Sequence, residues 1–267
     1  MHLLLNFNHH KKITMLKLNY SFGTLNLFFC LSIFALNLSA QNFAYKHVTS
    51  TSNTSGHITT LDHPDINNNP NAVLFITHDY DRGSYISTSI GVYYQAGRWR
   101  IFNQNKSNLA NGITFNILKT QITGSNIHRH TASRSNTSGH ITTIDHPAFN
   151  GNPNLKILAS QYWTGTYNDN EIGLWYNGGK WKIFNQNTNA LPSGSSFNLM
   201  IIDQGIKHEV RSGRTGYPHV TKLSGRGAST REKLAFITSV WEGKYNIPAT
   251  GVWYNDGAWN IYNEDRS

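Results

Sequence analysis

The chain has 267 residues, of which 14% are charged and 12% aromatic, with 23 Lys and Arg against 14 Asp and Glu. A polypeptide this rich in rings and this poor in charge is neither disordered nor a coiled coil. Thirteen Tyr, thirteen Phe, seven Trp and 22 Gly, set among many Asn, Ser and Thr, are the vocabulary of short strands and tight turns, so the expected fold is all-β.

In chain order the first element is a leader. Basic residues around Met15 to Lys17 precede an apolar run, Leu25 to Leu36, and then Leu38-Ser39-Ala40-Gln41. This order is that of a secretory signal peptide over 1–40, cleaved after Ala40; the run of about a dozen residues is too short for the ~20 that span a membrane. The expectation is a secreted, extracellular protein with no membrane attachment after cleavage. Cys30, the only cysteine, lies in the leader, so the rest holds together by packing without disulfides. Beyond Ala40, 20 basic residues face 14 acidic ones, and seven of the basic residues fall between Lys207 and Lys233.

A repeat follows. Asn53-Thr-Ser-Gly-His-Ile-Thr-Thr-Leu-Asp-His-Pro64 returns 83 residues later as Asn136-Thr-Ser-Gly-His-Ile-Thr-Thr-Ile-Asp-His-Pro147. Ile90-Gly-Val-Tyr-Tyr94 returns as Ile172-Gly-Leu-Trp-Tyr176 and Thr250-Gly-Val-Trp-Tyr254, each followed by Trp99-Arg-Ile-Phe-Asn103, Trp181-Lys-Ile-Phe-Asn185 or Trp259-Asn-Ile-Tyr-Asn263. Three copies run over 43–120, 126–203 and 206–267. The third lacks the Asp-His-Pro and the Phe-Asn strand (Phe115-Asn116, Phe197-Asn198); it is incomplete, and either the array is longer or the third copy borrows a strand.

In the first copy strands are predicted at Tyr45 to Thr49, His57 to Leu61, Ala72 to Thr77, Ile90 to Tyr94, Arg98 to Asn103 and Ile113 to Leu118. The turns Gln95-Ala-Gly97, Asn177-Gly-Gly179 and Asn255-Asp-Gly257 close a hairpin in every copy. Alternation puts Val92, Tyr94, Trp99 and Ile101 on one face, with Arg98 and Arg100 opposite. The expected architecture is a tandem array of antiparallel β-sandwich or barrel-like modules of about 80 residues, with a β-propeller as the alternative, each copy then forming two blades.

The pattern Gly-Val-Trp-Tyr…Trp-x-Ile-Phe-Asn-Gln…Pro-x-Gly-x-x-Phe-Asn resembles that of a functionally uncharacterised family of secreted all-β repeat modules. The resemblance covers almost all of 43–267 and implies the module boundaries rather than an activity.

Three constellations could carry function. His57, Asp62 and His63, repeated as His140, Asp145 and His146, are residue types that bind metals or relay protons, although Asp-His-Pro also opens an ordinary loop. The oxygen-rich segments after them (Asp62, Asp65, Asn67, Asn69, Asn71; Asp145, Asn150, Asn152, Asn154) contain donors calcium accepts, with few carboxylates to balance its charge. Tyr80 with Tyr85, Trp163 with Tyr167 and Trp241 with Tyr245 form an aromatic, Gly, x, Tyr loop in every copy, the arrangement that stacks sugar faces. Trp99, Trp181 and Trp259, inside hairpin strands, are expected in the core.

Motifs for serine hydrolases, zinc proteases and phosphate binding are lacking. The expected function is therefore non-catalytic: a multivalent carbohydrate-binding or adhesive protein using the loop aromatics, without an obligatory cofactor. Its partner would be a glycan or polysaccharide, an anionic one at the Lys207–Lys233 patch, and not nucleic acid. The alternatives are a structural or protein-interaction repeat of the cell surface or matrix, and a metal-dependent hydrolase using His57, Asp62 and His63.

Overall fold

The computed structural model describes residues 2–4, 42–121, 124–202, 206–208, 219–223, 228–231 and 233–267. Apart from residues 2–4, the leader expected over 1–40 lies outside the described residues, as do Arg211, Arg214 and Arg226 of the basic patch.

The hairpins are the local units of the fold. Ile90–Gln95 pairs antiparallel with Arg98–Asn103, Ile172–Asn177 with Lys180–Asn185, and Thr250–Asn255 with Ala258–Asn263. Each turn places both central residues at positive φ: Ala96 and Gly97, Gly178 and Gly179, Asp256 and Gly257. This backbone twist matches that of the flanking strands. In copy one, Ile58–Thr60 and then Thr54–Ser55 extend the hairpin to a four-stranded front layer, and Phe43–Val48, Thr114–Gln121 and Ala72–Asp79 form an antiparallel back layer. Copy two repeats both layers, its back layer built from Ile127–Thr131, Ser196–Ile201 and Ile157–Tyr162.

Front and back layers of each copy face each other as a small sandwich. Trp99 and Trp259 are fully buried and Trp181 nearly so. Trp99 packs with Leu74, Val92, Ile101, Phe115 and Ile117, and Trp181 with Ile144, Leu174, Ile183, Phe197 and Leu199. Each indole N–H donates to a loop carbonyl, of Asn69 at 2.9 Å, Asn152 at 3.0 Å and Thr230 at 3.2 Å, so the ring is buried without an orphaned donor. The all-β, tandem-repeat fold expected from the sequence is the one observed.

The sheets run on from copy to copy. The back strand Ile157–Tyr162 of copy two lies parallel to Ile90–Gln95 of copy one, Ser239–Val240 of copy three lies parallel to Ile172–Asn177, and Ala72–Asp79 of copy one lies parallel to Thr250–Asn255. The result is three mixed sheets of seven, seven and six strands, none closed into a barrel, arranged as a ring about a pseudo-threefold axis. In the third back layer the leader residues His2–Leu4 lie between Ser239 and Ile206–His208, the place that the Phe-Asn strand holds in the other copies, and cleavage after Ala40 would vacate it.

The Phe-Asn pair has a physical reason. Successive residues of a strand face opposite sides, so Phe115 and Phe197 enter their own cores while Asn116 and Asn198 turn toward the axis. There Asn116 donates to Ala235 O and Asn198 to Leu74 O, each at 3.1 Å, joining one copy to the next. Farther along the axis Phe75, Leu158 and Phe236 meet in a shared apolar core.

Candidate functional site

The seams between copies are where the singled-out aromatics lie. Gly91, Gly173 and Gly251 sit opposite Phe102, Phe184 and Tyr262 across their hairpins. The partner ring lies over the bare glycine: an added Cβ would come within 2.7 Å of Phe102 Cζ, 2.8 Å of Phe184 Cε1 and 2.5 Å of Tyr262 Cζ. Against each ring pack loop aromatics of the neighbouring copy. Tyr167 is 5.4 Å from Phe102, Trp241 and Tyr245 are 5.8 and 5.7 Å from Phe184, and Tyr80 and Tyr85 are both 5.6 Å from Tyr262. Trp163 packs edge-on to Tyr93 at 5.5 Å.

Two residues past each ring, a side chain reaches the same neighbouring loop. Gln104 Oε1 accepts the Asn168 N–H at 3.1 Å, Gln186 Oε1 that of Asn246 at 3.0 Å, and Glu264 Oε2 that of Ile86 at 2.9 Å. All six loop aromatics are thus seam residues; five are half-buried, and Tyr245 is 43% exposed.

The metal candidates are drawn apart. His57 Nε2 meets the Tyr167 hydroxyl at 3.4 Å and His140 Nε2 that of Tyr245 at 3.1 Å. Asp62 accepts from Asn67 at 2.7 Å, and Asp145 pairs with Lys180 at 2.6 Å and accepts from Asn150 at 2.8 Å. His63 stacks on Phe43, and His146 lies 4.5 Å from His128. Among the described residues no group of three His, Cys, Asp or Glu could hold a metal ion. The Asn-rich segments serve as the loops that receive the Trp indoles, as Asn69 and Asn152 do.

The third seam differs from the others in chemistry. Where copies one and two have Phe and Gln, copy three has Tyr262 and Glu264, and copy one contributes His78. Glu264 Oε1 bonds His78 Nδ1 and accepts from the Tyr262 hydroxyl at 3.0 Å. Burial beside this carboxylate pushes the Tyr262 hydroxyl far above the usual phenol range. Next to it Asp79, 1% exposed, pairs with Lys46 at 2.9 Å, and burial outweighs the cation and raises its carboxyl. Sequence reading passed over this cluster, although the change from Phe-Asn-Gln to Tyr262-Asn-Glu264 within the repeat was its signal.

The loops after the seam aromatics, 85–90, 167–172 and 245–250, converge at one end of the axis around a cleft of about 1230 Å³. Asp169, Glu171, Glu242 and Asp265 line it with Asn170, Asn187, Asn246, Tyr245 and Lys244. Ser89 donates to Glu171 at 2.9 Å and Thr88 to Asp169 at 3.2 Å. Desolvation pushes the Glu171 carboxyl up to about 7 and raises Asp169 as well. A smaller cavity of about 70 Å³ on the axis is lined by Thr77, His78, Ser160, Gln161 and, again, Glu171.

In comparisons with known proteins, the family model described as Domain of unknown function (DUF7452) matches twice in succession, over 31–119 and 111–201. No curated protein and no solved structure matches.

Proposed function

The chain belongs to this DUF7452 family, and we propose that it is a secreted, non-catalytic binding protein that takes a glycan in the cleft at the end of the axis. The observation that carries the reading is the cleft itself, one concavity of about 1230 Å³ to which all three copies send a loop and which carries amides, carboxylates, hydroxyls and the exposed ring of Tyr245. Amides and carboxylates bond sugar hydroxyls in two directions, and a tyrosine face covers the apolar side of a pyranose at low entropic cost. Three copies contribute to one cleft, so we place the main site per chain rather than per copy. With four carboxylates and one lysine among the described residues of its walls, the cleft suits a neutral or cationic sugar better than a polyanion. A glycan array followed by titration of the best oligosaccharide tests the reading: Tyr245→Ala lowers affinity at least tenfold, whereas an array without signal refutes it.

The packing of Tyr80, Trp163 and Trp241 into seams favours a second reading, a structural or protein-interaction repeat of the cell surface or matrix. The two separate on the array: a purely structural protein gives no glycan signal, and Tyr245→Ala then lowers only its stability through the contacts with Phe184 and Trp241.

A further inference from the structure

The chain is basic, yet the cleft at the end of the axis is acidic. Among the described residues, four carboxylates line that cleft beside a single lysine. Asp169 and Glu171 have hydroxyl partners, Thr88 and Ser89, and among the described residues no Lys or Arg forms an ion pair with either. A desolvated carboxylate held only by a hydroxyl is costly until a cation joins it.

An independent observation comes from the floor of the cleft. Glu171 borders both the cleft and the inner cavity of about 70 Å³, and His78 lines that cavity. His78 is 3% exposed, and its Nε2 has no hydrogen-bond partner. Nδ1 faces the Glu264 carboxylate, which favours the tautomer with the proton on Nδ1 and an acceptor lone pair on Nε2. The cavity thus gathers acceptors, namely Nε2, the Glu171 carboxylate and the hydroxyl and amide oxygens of Thr77, Ser160 and Gln161. A primary ammonium has three donors and no acceptor. The volume admits such a headgroup, and the sugar ring that carries it is placed in the cleft beside Tyr245.

We propose that the ligand of the axial cleft is a glycan bearing a primary ammonium group, which is seated between Glu171 and His78. This rests on the glycan reading above and adds the charge of the ligand to it. Among the described residues, the ionisable groups acting on Glu171 are Asp169 on its own loop and Glu264 from the copy-three hairpin, and His78 from the copy-one back strand lines the same cavity. Two of the three are carboxylates, so the field at the cavity favours a cation. With its carboxyl at about 7, Glu171 is mostly protonated at pH 6 and gives up its proton as the ammonium docks.

Calorimetry on the full chain at pH 6, in two buffers of different ionisation heat, tests this with glucosamine oligomers and their N-acetylated counterparts as probes. Acetylation removes the charge and two of the three donors while keeping the sugar ring. The expected result is binding of the amine oligomer about tenfold or more tighter than the acetylated one, with release of close to one proton. Glu171→Gln, with folding verified by its melting curve, abolishes both the preference and the release. Equal affinity for the two oligomers, or proton release that survives in Glu171→Gln, overturns the ammonium assignment and leaves the glycan reading standing. Binding of neither oligomer overturns both.

Discussion

Gly173→Ala is the sharpest test of how the copies are joined. The glycine has no positive φ; what requires it is the Phe184 ring across the hairpin, against which a methyl would come within 2.8 Å of Cε1 and 2.9 Å of Gln186 Nε2. Both groups must shift, and both hold copy three: Phe184 carries Trp241 and Tyr245, and Gln186 accepts the Asn246 N–H. Overpacking of this kind costs about 1–3 kcal/mol, and a lost buried hydrogen bond about 1 kcal/mol more. The sum, about 2–4 kcal/mol, lowers the melting temperature by about 5–15 °C in a chain of this size. Circular dichroism melts with parallel urea titrations measure it. Adding Phe184→Leu removes the clash, so the double variant loses less than the two single variants summed. A Gly173→Ala protein melting within 2 °C of the parent would refute the seam.

Other expectations follow from the same geometry. Trp163→Ala, which strips a half-buried ring from Tyr93 and Tyr167, costs about 2–4 kcal/mol in urea titrations; an unchanged midpoint would mean that the ring has no structural part. Ala96 and Thr188 hold positive φ, 49° and 61°, where a side chain is strained, so Ala96→Asn and Thr188→Asn each gain about 0.5–1 kcal/mol. Burial raises Glu171 from 4.5 to about 7, so between these values the folded protein keeps a proton the unfolded chain has released. Stability from this group is complete below 4.5 and lost as pH rises through 7; Glu171→Gln flattens that fall in melts between pH 4 and 8, and an identical slope would contradict the assignment. Dialysis against EDTA leaves the melting temperature unchanged, because His57, Asp62 and His63 are already engaged by Tyr167, Asn67 and Phe43; a drop of several degrees would restore a metal role.

The local part of this fold was legible. Turn chemistry and alternation placed the hairpins, and the residues assigned to one face, Val92, Tyr94, Trp99 and Ile101, do meet in one core. Strand limits were short where pairing continues beyond the apolar run: Ala72 to Thr77 extends to Asp79, because Thr114 still pairs there. What alternation could not show is which copy a hairpin joins, since the three copies carry the same pattern and every edge matches every other. For the same reason the pattern could not show that the loop aromatics pack in seams; their neighbours, Phe102, Phe184 and Tyr262, belong to a different copy. The axial cleft was hidden as well, because Asp169 and Glu171 have no counterpart acids in the loops of copies one and three, and only the ring of copies brings those loops together.

Sharing every sheet between two copies also fixes a stoichiometry. Each copy offers its hairpin edge to one neighbour and its back-strand edge to the other, a head-to-tail junction that closes when three units meet. A solitary unit with the same edges would satisfy both of them only in a ring of three, and fusing three into one polypeptide replaces such association by intramolecular docking at millimolar effective concentration. Fusion also releases the three junctions from identity. In a homotrimer, a His-Glu-Tyr cluster would have to be buried at every junction or at none. In the fused chain one junction carries Tyr262, Glu264 and His78 while the others keep Phe and Gln, and one loop can acquire Asp169 and Glu171 alone. An asymmetric pocket on a symmetric axis is open to the covalent ring and closed to its homotrimeric counterpart.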